Sequence, residues 1–430
     1  MATSAVRGSI LSFTKDPFFN APEDSHTFIE DGLIITQDGH IKSVGPYTPQ
    51  AAEGLTVDHY KDAIICPGFI DSHIHYPQSQ MIGAYGEQLL EWLNTYTFVA
   101  EQDFASRKHA GKVAKIFLQE LLRCGTTTAA VYCTVHVESV EAFFEHSSAL
   151  NTRMIAGKVL MDRNAPAPLL DTAERGYEES RALIEQWHGR GRQLYAVTPR
   201  FAPTSTPEQL DAAARLWHEH PGTYLQTHLS ENLGELAWVK ELFPDCDRYL
   251  DVYKKFNLVG PRSIYGHCIH IDEPDFADFN RLNATMGHCP TSNFFLGSGC
   301  FKLFEAKKAA RPVKVALGTD VGGGTSFSIL ETLNEAYKAA QMNQTRLNAF
   351  QGFYLATRGG AEALDLGDKI GSIEPGYEAD FIVLDLKATP MMEFRMDYAK
   401  TLAEKLFVFM TIGDDRSVRA TYVAGRKMEF

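Results

Sequence analysis

The sequence predicts an α/β protein whose main body is a TIM-like (β/α)8 barrel, with a small β-sandwich domain formed from both chain ends. The chain has 430 residues, which is enough for one large enzyme domain and a smaller one. Eight β-branched segments alternate with helical segments through its middle, and β-rich sequence occurs at both ends. We expect the barrel over 66–374 and the small domain over 1–65 and 375–430.

The small domain is predicted from short strands and turns. Near the start, Ile10–Phe13, Gly32–Gln37 and Ile41–Val44 are strand-like, with an Asp38-Gly39 turn between the last two. The same pattern of short strands and turns occurs at the other end of the chain. There the predicted strands are 379–386 and 418–423, followed by a turn at Gly425. We therefore expect the two ends to share one sheet.

The barrel is predicted from the alternation that lies between these ends. Its expected strands are 68–71, 126–132, 154–160, 194–198, 224–228, 263–267, 284–286 and 313–317. Helix formers with apolar residues at three- and four-residue spacing fill 110–122, 173–187, 208–218, 233–242 and 328–341. A doubly wound open sheet is the alternative, but the GxGxxG turn that would favour it is missing after the first strand.

Composition excludes several classes of protein. The 41 Lys and Arg against 54 Asp and Glu give a formal charge of -13, and no basic run could neutralise successive phosphates. We therefore expect no nucleic-acid partner. The first thirteen residues lack an apolar run behind a basic segment, and no stretch approaches the roughly 18 to 20 apolar residues of a membrane span. We expect a cytoplasmic protein without a membrane partner.

The seven cysteines are scattered singly and contain no CxxC pair. This pattern argues against a disulfide framework and against a structural zinc knot, so we expect them to be reduced. Cys268 and Cys289 lie beside histidines and could be ligands. Buried packing near a site is the interpretation we prefer for both.

The segment 67–75, PGFIDSHIH, is the most informative part of the chain. It is a predicted strand that ends in His73 and His75. Side chains two residues apart on a strand point the same way, so both imidazoles can reach one ion. An HxH pair alone is common by chance, but catalytic residues of a barrel come from the carboxyl ends of its strands. The position therefore predicts a pair of metal ligands.

Other strand ends present groups of the same kind. His228 and His267 each end a predicted strand, and Asp320 follows another within Gly-Thr-Asp. Each histidine alone could be a core residue bonded to the backbone, but together they predict one site that suits zinc, with iron or manganese as alternatives. His270 and His288 are the nearest rivals. We expect helix-cap or loop duty for His270, and His288 could line the pocket.

One metal ion is expected rather than two. A bridged pair would need an anionic bridging ligand, typically a modified lysine at the end of the fourth strand. The chain has VTPRF at 197–201, so arginine stands there. Arginine stays protonated and cannot supply the bridge.

These motifs resemble the amidohydrolase superfamily, and within it the resemblance is greatest to the guanine deaminases. It covers nearly the whole chain, although HxH and HxxE are shared with many other deaminases. The matching segments are PGFIDSHIHYPQ (67–78), EQLLEWLNTYTF (87–98), PRFAP (199–203), QTHLSEN (226–232), YGHC (265–268), GHCPTSN (287–293), LGTDVGGG (317–324) and PGYEADFIVLD (375–385).

The resemblance implies a role for each site residue. His73, His75, His228 and Asp320 would bind the metal, one Zn²⁺ per chain with Fe²⁺ as an alternative. His267 would contact the nucleophilic water, and Asp320 would accept its proton. Glu231 would deliver a proton to the ring nitrogen beside the attacked carbon and help to expel ammonia. The alternative is a structural role, in which the Glu231 carboxylate interacts with the dipole of the helix that begins at 233 and stabilises its start.

Substrate choice is expected to depend on Arg200, Phe201 and Gln78, with His228 and Asp320 also close to the substrate. A guanidinium offers donors to a purine oxygen, and an amide both donates and accepts. The alternative for Arg200 is a structural salt-bridge partner. Phe201 can cover the face of the base. Trp92 could close the pocket or belong to the core.

The expected activity is hydrolysis of the purine base guanine to xanthine and ammonia, in guanine catabolism, by a homodimer. The nearest alternative is a deaminase or chlorohydrolase that acts on 8-oxoguanine, an adenosine derivative, cytosine or a triazine. A non-catalytic barrel that binds a purine or serves as a scaffold is the alternative of a different class. Loss of a metal ligand or of Glu231 would favour it, and all are present.

Overall fold

The structure is a computed structural model that describes residues 3–85 and 88–429. Sixteen strands are found in these ranges. In chain order β1 to β16 they are Thr3–Phe13, His26–Gln37, His40–Pro46, Val57–Pro67, Phe69–His75, Thr126–Tyr132, Arg153–Gly157, Val159–Leu160, Gln193–Pro199, Tyr224–Leu229, Ser263–His267, Thr285–His288, Lys314–Leu317, Phe381–Asp385, Val418–Val423 and Arg426–Lys427.

The α-helices lie mostly between the barrel strands and after them. In chain order α1 to α17 they are Pro22–Ser25, Leu89–Trp92, Phe98–Glu101, Arg107–Arg123, Val137–Leu150, Ala173–Trp187, Pro207–Glu219, Leu233–Leu242, Tyr249–Lys255, Glu273–Leu282, Pro290–Phe295, Leu303–Ala306, Ile329–Met342, Ala349–Ala356, Arg358–Ala363, Pro390–Asp397 and Leu402–Ile412. None of the helices within the described residues is long and apolar enough to cross a membrane.

Eight strands form a nearly closed barrel in the order β5-β6-β7-β9-β10-β11-β12-β13, with β8 paired to β9. The pairs from β7 to β13 are parallel. Between the first and last strands, the Ser72 hydroxyl donates to the Leu317 carbonyl at 2.9 Å. Strands such as β5 and β6 are buried along their whole length, as expected where helices cover the outside of a parallel sheet. The predicted barrel is confirmed.

The strand predicted over 154–160 is interrupted. The structure has β7 up to Gly157 and a separate β8 from Val159, with Lys158 between them. The fully buried Lys158 ammonium pairs with the fully buried Asp171. A buried ammonium requires such a partner, so Lys158 leaves the strand ladder to reach it.

The strands of the two chain ends form one hydrogen-bonded sheet of seven strands, in the order β16-β15-β14-β4-β1-β2-β3. The predicted small β domain from both ends is therefore confirmed. Its core contains a stacked pair, Phe381 and Tyr422, whose ring centroids are 4.6 Å apart. Apolar residues from both ends surround this pair, among them Val6, Ile34, Ile65 and Val383.

The chain divides into two compact units. One contains the chain up to Asp71, Gln119–Thr128 and the part from Ser328 onward. The other contains Ser72–Leu118 and Ala129–Phe327. The domain boundaries expected at 65 and 374 stay a prediction. All the predicted site residues belong to the second unit, so that unit can be described by itself.

Candidate active site

The end of β5 brings two imidazoles to one carboxylate. The backbone N–H of Asp320 donates to the His73 carbonyl at 2.8 Å, and that of His75 donates to the Val321 carbonyl at 3.0 Å. These bonds hold the segment after β13 beside β5. As a result, Asp320 Oδ1 lies 3.4 Å from His73 Nε2 and 3.3 Å from His75 Nε2. The two histidines are buried.

His228, on β10, completes this group. Its Nδ1 lies 2.7 Å from the Arg200 carbonyl, which can only accept, so Nδ1 carries the proton. Its Nε2 therefore presents a lone pair, and it lies 3.3 Å from His75 Nε2. Burial lowers the pKa of His75 to about 3 and that of His228 well below its usual value. Both rings are neutral at pH 7, as metal-binding imidazoles must be.

His267, at the end of β11, is oriented in the same way. Its Nδ1 lies 2.9 Å from Asn293 Oδ1, an oxygen that can only accept, so this nitrogen donates and the ring orientation is fixed. Nε2 lies 3.3 Å from Glu231 Oε2 and 3.7 Å from Asp320 Oδ2. His267 thus stands between the two carboxylates of the site.

The two carboxyl groups have opposite protonation preferences. Burial raises the pKa of Glu231 well above its usual value, and the nearby charge of Asp320 raises it further. Burial would also raise the pKa of Asp320, but hydrogen bonds from His73 and His75 hold it well below its usual value. Pairs of groups with pKa values driven apart are typical of acid–base sites. Glu231 therefore favours its protonated form, and Asp320 favours its carboxylate form.

The donor atoms fit a metal ion. The nitrogens of His73, His75 and His228 lie within 4.8 Å of one another, as do the ligand atoms of His73, His267 and Asp320. Imidazole nitrogens with one carboxylate oxygen suit zinc and related divalent ions. The lone pair on His228 Nε2, which faces His75 Nε2 at 3.3 Å, also requires a cation or a donor. The four predicted ligands, His73, His75, His228 and Asp320, are therefore brought together in one cluster, which we call the metal-type group.

Several strand ends at the site adopt a left-handed backbone. Ser230, His267 and Asp320 have φ values of 52°, 71° and 52°. Residues with a Cβ rarely adopt this conformation, which costs on the order of 1–3 kcal/mol and tends to occur at active sites. The surrounding packing holds these turns, and they redirect the side chains toward the pocket.

A buried pocket adjoins the metal-type group. Trp92 and Phe201 are buried in one apolar cluster and also line this pocket, so Trp92 is both core and pocket wall. The remaining lining residues are His75, Gln78, Leu89, Leu93, Arg200, His228, Glu231, Glu235, His267, Leu296, Asp320 and Gly323. The pocket combines apolar walls with a few polar groups, which is the character of a small-molecule site.

Arg200 and Gln78 meet at a residue that we did not single out from the sequence, Glu101. Arg200 Nη1 lies 2.9 and 2.8 Å from the two Glu101 oxygens. The Gln78 amide nitrogen donates to Glu101 at 3.4 Å, and its oxygen accepts from the Gly322 N–H at 3.2 Å. Gln78 thus has less free hydrogen-bonding capacity than expected. Glu101 lies three residues beyond the EQLLEWLNTYTF motif, whose Glu87 lies outside the described residues.

The rival histidines lie apart from the metal-type group. His270 Nε2 bonds the Ser298 carbonyl at 2.9 Å, and the N-cap of α10 is Asp272, so His270 has the predicted loop duty and no capping duty. His288 packs against Phe301 and does not line the pocket described above. Burial lowers its pKa to about 3. Cys268 and Cys289 are buried, as expected for packing residues.

Three further residues contact the predicted ones and were missed. Asn293 orients the His267 ring. Asn293 is the last residue of the GHCPTSN motif, and this position could have indicated that it belongs to the site. Ser298 donates to Glu231 Oε1 at 3.3 Å. Glu235 accepts from the Glu231 N–H at 2.8 Å and forms a capping box with Asn232 at the start of α8. The pattern N-x-x-E before a helix is the signal that could have found Glu235.

Comparison with known proteins agrees with this geometry. The Amidohydrolase family profile matches residues 64–428. The guanine deaminase of Escherichia coli is 51% identical over 428 residues, which cover 98% of this chain and 97% of that protein. The solved guanine deaminase of Bradyrhizobium japonicum has a TM-score of 0.97 and 41% identity, covering 100% of this chain and 99% of that one.

A third relative was solved with a ligand. The guanine deaminase of C. acetobutylicum, with bound guanine in the active site, has a TM-score of 0.89 and 30% identity over 100% of both chains. The chain therefore belongs to the amidohydrolase family, and within that family it is similar over nearly its whole length to guanine deaminases.

Proposed function

We propose that the protein is a guanine deaminase, which hydrolyses guanine to xanthine and ammonia. One observation carries the proposal: a single pocket is lined by three of the four predicted metal ligands, by Glu231 and by Arg200. The three ligands are His75, His228 and Asp320. The ligands and Glu231 supply hydrolytic chemistry, and Arg200 supplies donors for a purine oxygen. The whole-length similarity to guanine deaminases supports the same function.

We propose that His73, His75, His228 and Asp320 hold one zinc ion per chain, with ferrous iron as the alternative. Such an ion, when bound, would lower the pKa of water to about 7 in favourable sites and so supply hydroxide at neutral pH. The hydrogen bonds from His228 to the Arg200 carbonyl and from His267 to Asn293 fix the ring orientations.

The two carboxyl groups divide the proton transfers. Asp320, held as a carboxylate by its histidine neighbours, accepts the proton of the attacking water. Glu231, kept protonated by burial, gives its proton to the ring nitrogen beside the attacked C2 carbon. The C–O bond forms, and Asp320 then passes the proton it accepted to the amino group. As the C–N bond breaks and ammonia leaves, Glu231 regains a proton from the new hydroxyl, which becomes the carbonyl of xanthine. His267 lies between the two carboxylates and contacts the water.

The substrate contacts follow from the lining of the pocket. Arg200 faces the purine oxygen, and Phe201 covers the face of the base. Gln78 has one amide N–H and one lone pair left beyond its bonds to Glu101 and Gly322. His228 and Asp320 lie next to the reacting carbon. These contacts select an oxopurine.

Three finer proposals rest on the family resemblance and the composition. We propose a homodimer, a cytoplasmic location and a role in guanine catabolism. The catalytic domain in this proposal is the barrel over 66–374, and the small domain comprises 1–65 and 375–430.

The function is tested by incubating the zinc-loaded protein with guanine. We expect loss of guanine absorbance, with xanthine and ammonia formed in equal amounts. A panel of 8-oxoguanine, adenosine, cytosine and a triazine, measured in parallel, tests the preference. Absence of guanine turnover by the zinc-loaded protein would refute the proposal. Faster turnover of a panel compound would identify that compound, and not guanine, as the preferred substrate.

A further inference from the structure

We infer that Glu101 is a positioning residue for substrate selection: it holds the Arg200 guanidinium in the orientation that meets the oxygen of an oxopurine. The inference rests on the proposed function and adds a residue to it. Glu101 does not line the pocket, so its effect would pass through Arg200.

The hydrogen bonds of Arg200 define that orientation. Both Glu101 oxygens accept from Nη1, at 2.9 and 2.8 Å. A guanidinium has five N–H donors in a fixed fork, so Nε and Nη2 keep theirs, and neither makes a side-chain hydrogen bond to another described residue. Arg200 lines the pocket. One end of the guanidinium is therefore anchored, and the other end is left for a ligand acceptor.

Burial makes this anchor necessary. The side chains of Arg200 and Glu101 are 3% and 1% exposed. A buried ion pair contributes little net stability, because desolvation of both charges offsets their attraction. Removal of one partner leaves the other charge buried and unpaired. A role in orientation explains why such a pair lies behind a binding pocket better than stability does.

The local fold places Glu101 there. A single π-helical turn, Leu93–Thr97, separates α2 from α3, and Glu101 is the last residue of α3. Such turns occur often at functional sites. The Phe98 ring of the same helix lies under the guanidinium, 5.3 Å from Arg200 Cζ to the ring centroid. Gln78 donates to Glu101 from another side and restricts the carboxylate further.

We therefore expect the preference for guanine over 2,6-diaminopurine to depend on Glu101. Guanine carries an oxygen at C6, whereas 2,6-diaminopurine carries an amino group there and keeps the 2-amino group that leaves. Anchored N–H donors attract the first and oppose the second. A guanidinium released from Glu101 would discriminate less between them.

The test compares wild type with Glu101→Gln and Glu101→Asp. Guanine is the substrate, and 2,6-diaminopurine is an alternative substrate or competitive inhibitor. We expect Glu101→Gln to lower kcat/KM for guanine about tenfold or more, which is typical for loss of a hydrogen bond to a charged group. The affinity for 2,6-diaminopurine should be nearly unchanged. Equal losses for both compounds, or no loss, would overturn the inference.

Asp171→Asn is the matched control, because it breaks another fully buried ion pair, with Lys158, outside the pocket. This variant should lose stability and keep the preference for guanine. A double-mutant cycle with Arg200→Gln adds a second readout. The double variant should be no worse than Arg200→Gln alone, and additive losses would contradict action through Arg200.

Two outcomes separate this inference from the proposed function. Wild type without activity on guanine would contradict the function. An active wild type with an equally active Glu101→Gln would contradict the inference alone. If neither Glu101 variant folds, a crystal structure of wild type with xanthine decides. The inference requires Arg200 to contact the C6 oxygen while Nη1 stays on Glu101, and an Arg200 turned away from either would overturn it.

Discussion

The imidazole of His228 is bonded through Nδ1 to the backbone carbonyl of Arg200, at 2.7 Å. One residue thereby serves two parts of the site, since the carbonyl of Arg200 orients a metal-type ligand and its side chain faces the pocket. The backbone N–H of His228 also donates to the same carbonyl, at 3.1 Å. In the proposed complex, the backbone of Arg200, between β9 and β10, would therefore set the positions of both the reacting carbon and the purine oxygen.

Replacement of His228 by alanine should remove the metal and the activity together, because only Nε2 of this ring faces the donor group. Elemental analysis of the purified variant checks the metal. His288→Met is the control, because His288 is also buried at a strand end but lies outside the donor group. Full metal content in His228→Ala would contradict its assignment as a ligand.

Replacement of Glu231 by glutamine should lower kcat by about 10²- to 10⁴-fold, the usual contribution of a general acid or base. The amide keeps the shape and the contact with Ser298 but has no proton of suitable acidity to deliver. The metal content should not change. Glu178→Gln, on the exposed face of α6, is a neutral control. If Glu231 served only the start of α8, its glutamine variant would keep nearly full activity.

Replacement of Phe201 by leucine should raise KM for guanine more than it lowers kcat. Loss of ring-to-base packing is worth about 0.5–1.5 kcal/mol, or roughly two- to tenfold. Phe144→Leu provides the comparison, because Phe144 is equally buried but stacks on Trp187 away from the pocket. It should lower the melting temperature without a change in KM. A normal KM in Phe201→Leu would exclude contact with the base.

His288 should make stability depend on pH. In the unfolded chain it binds a proton below about pH 6.5, whereas burial holds its folded pKa at about 3. The native state therefore binds fewer protons in this window, and the free energy of unfolding falls by about 1.4 kcal/mol per pH unit as the pH decreases. Relative to wild type, His288→Met should gain stability from pH 6.5 toward pH 4.

Urea unfolding at several pH values measures this difference. His40→Gln, which replaces an exposed imidazole, is the reference variant. Curves of stability against pH that run parallel for wild type and His288→Met would show that His288 is already protonated in the folded protein or that another residue carries the dependence.

Much of the barrel could be predicted because local patterns define its elements. The strands 126–132 and 263–267 and the helices 173–187 and 233–242 have the predicted bounds. Turn and capping residues mark such ends in the sequence; Thr172 and Asn232 are the N-caps of the two helices. The convergence of His73, His75, His228 and Asp320 was also foreseeable, because all follow or end strands of one parallel barrel.

Interactions between distant segments could not be predicted in this way. Glu101 and Arg200 are 99 positions apart, and a glutamate at the end of a short helix resembles a solvated surface residue. The break at Lys158 depends on Asp171, which belongs to the following loop. The bonds that occupy the Gln78 amide come from Glu101 and Gly322. Pairs of this kind leave no periodic pattern in the sequence.

The central claim, one metal per chain in a guanine deaminase, is tested most directly by titrating metal-free protein with zinc while measuring guanine deamination. We predict that the chelated protein is inactive and that the rate rises linearly until one equivalent of zinc per chain, then stays constant. Full activity without metal, a break at two equivalents, or no guanine turnover at any zinc concentration would contradict the account.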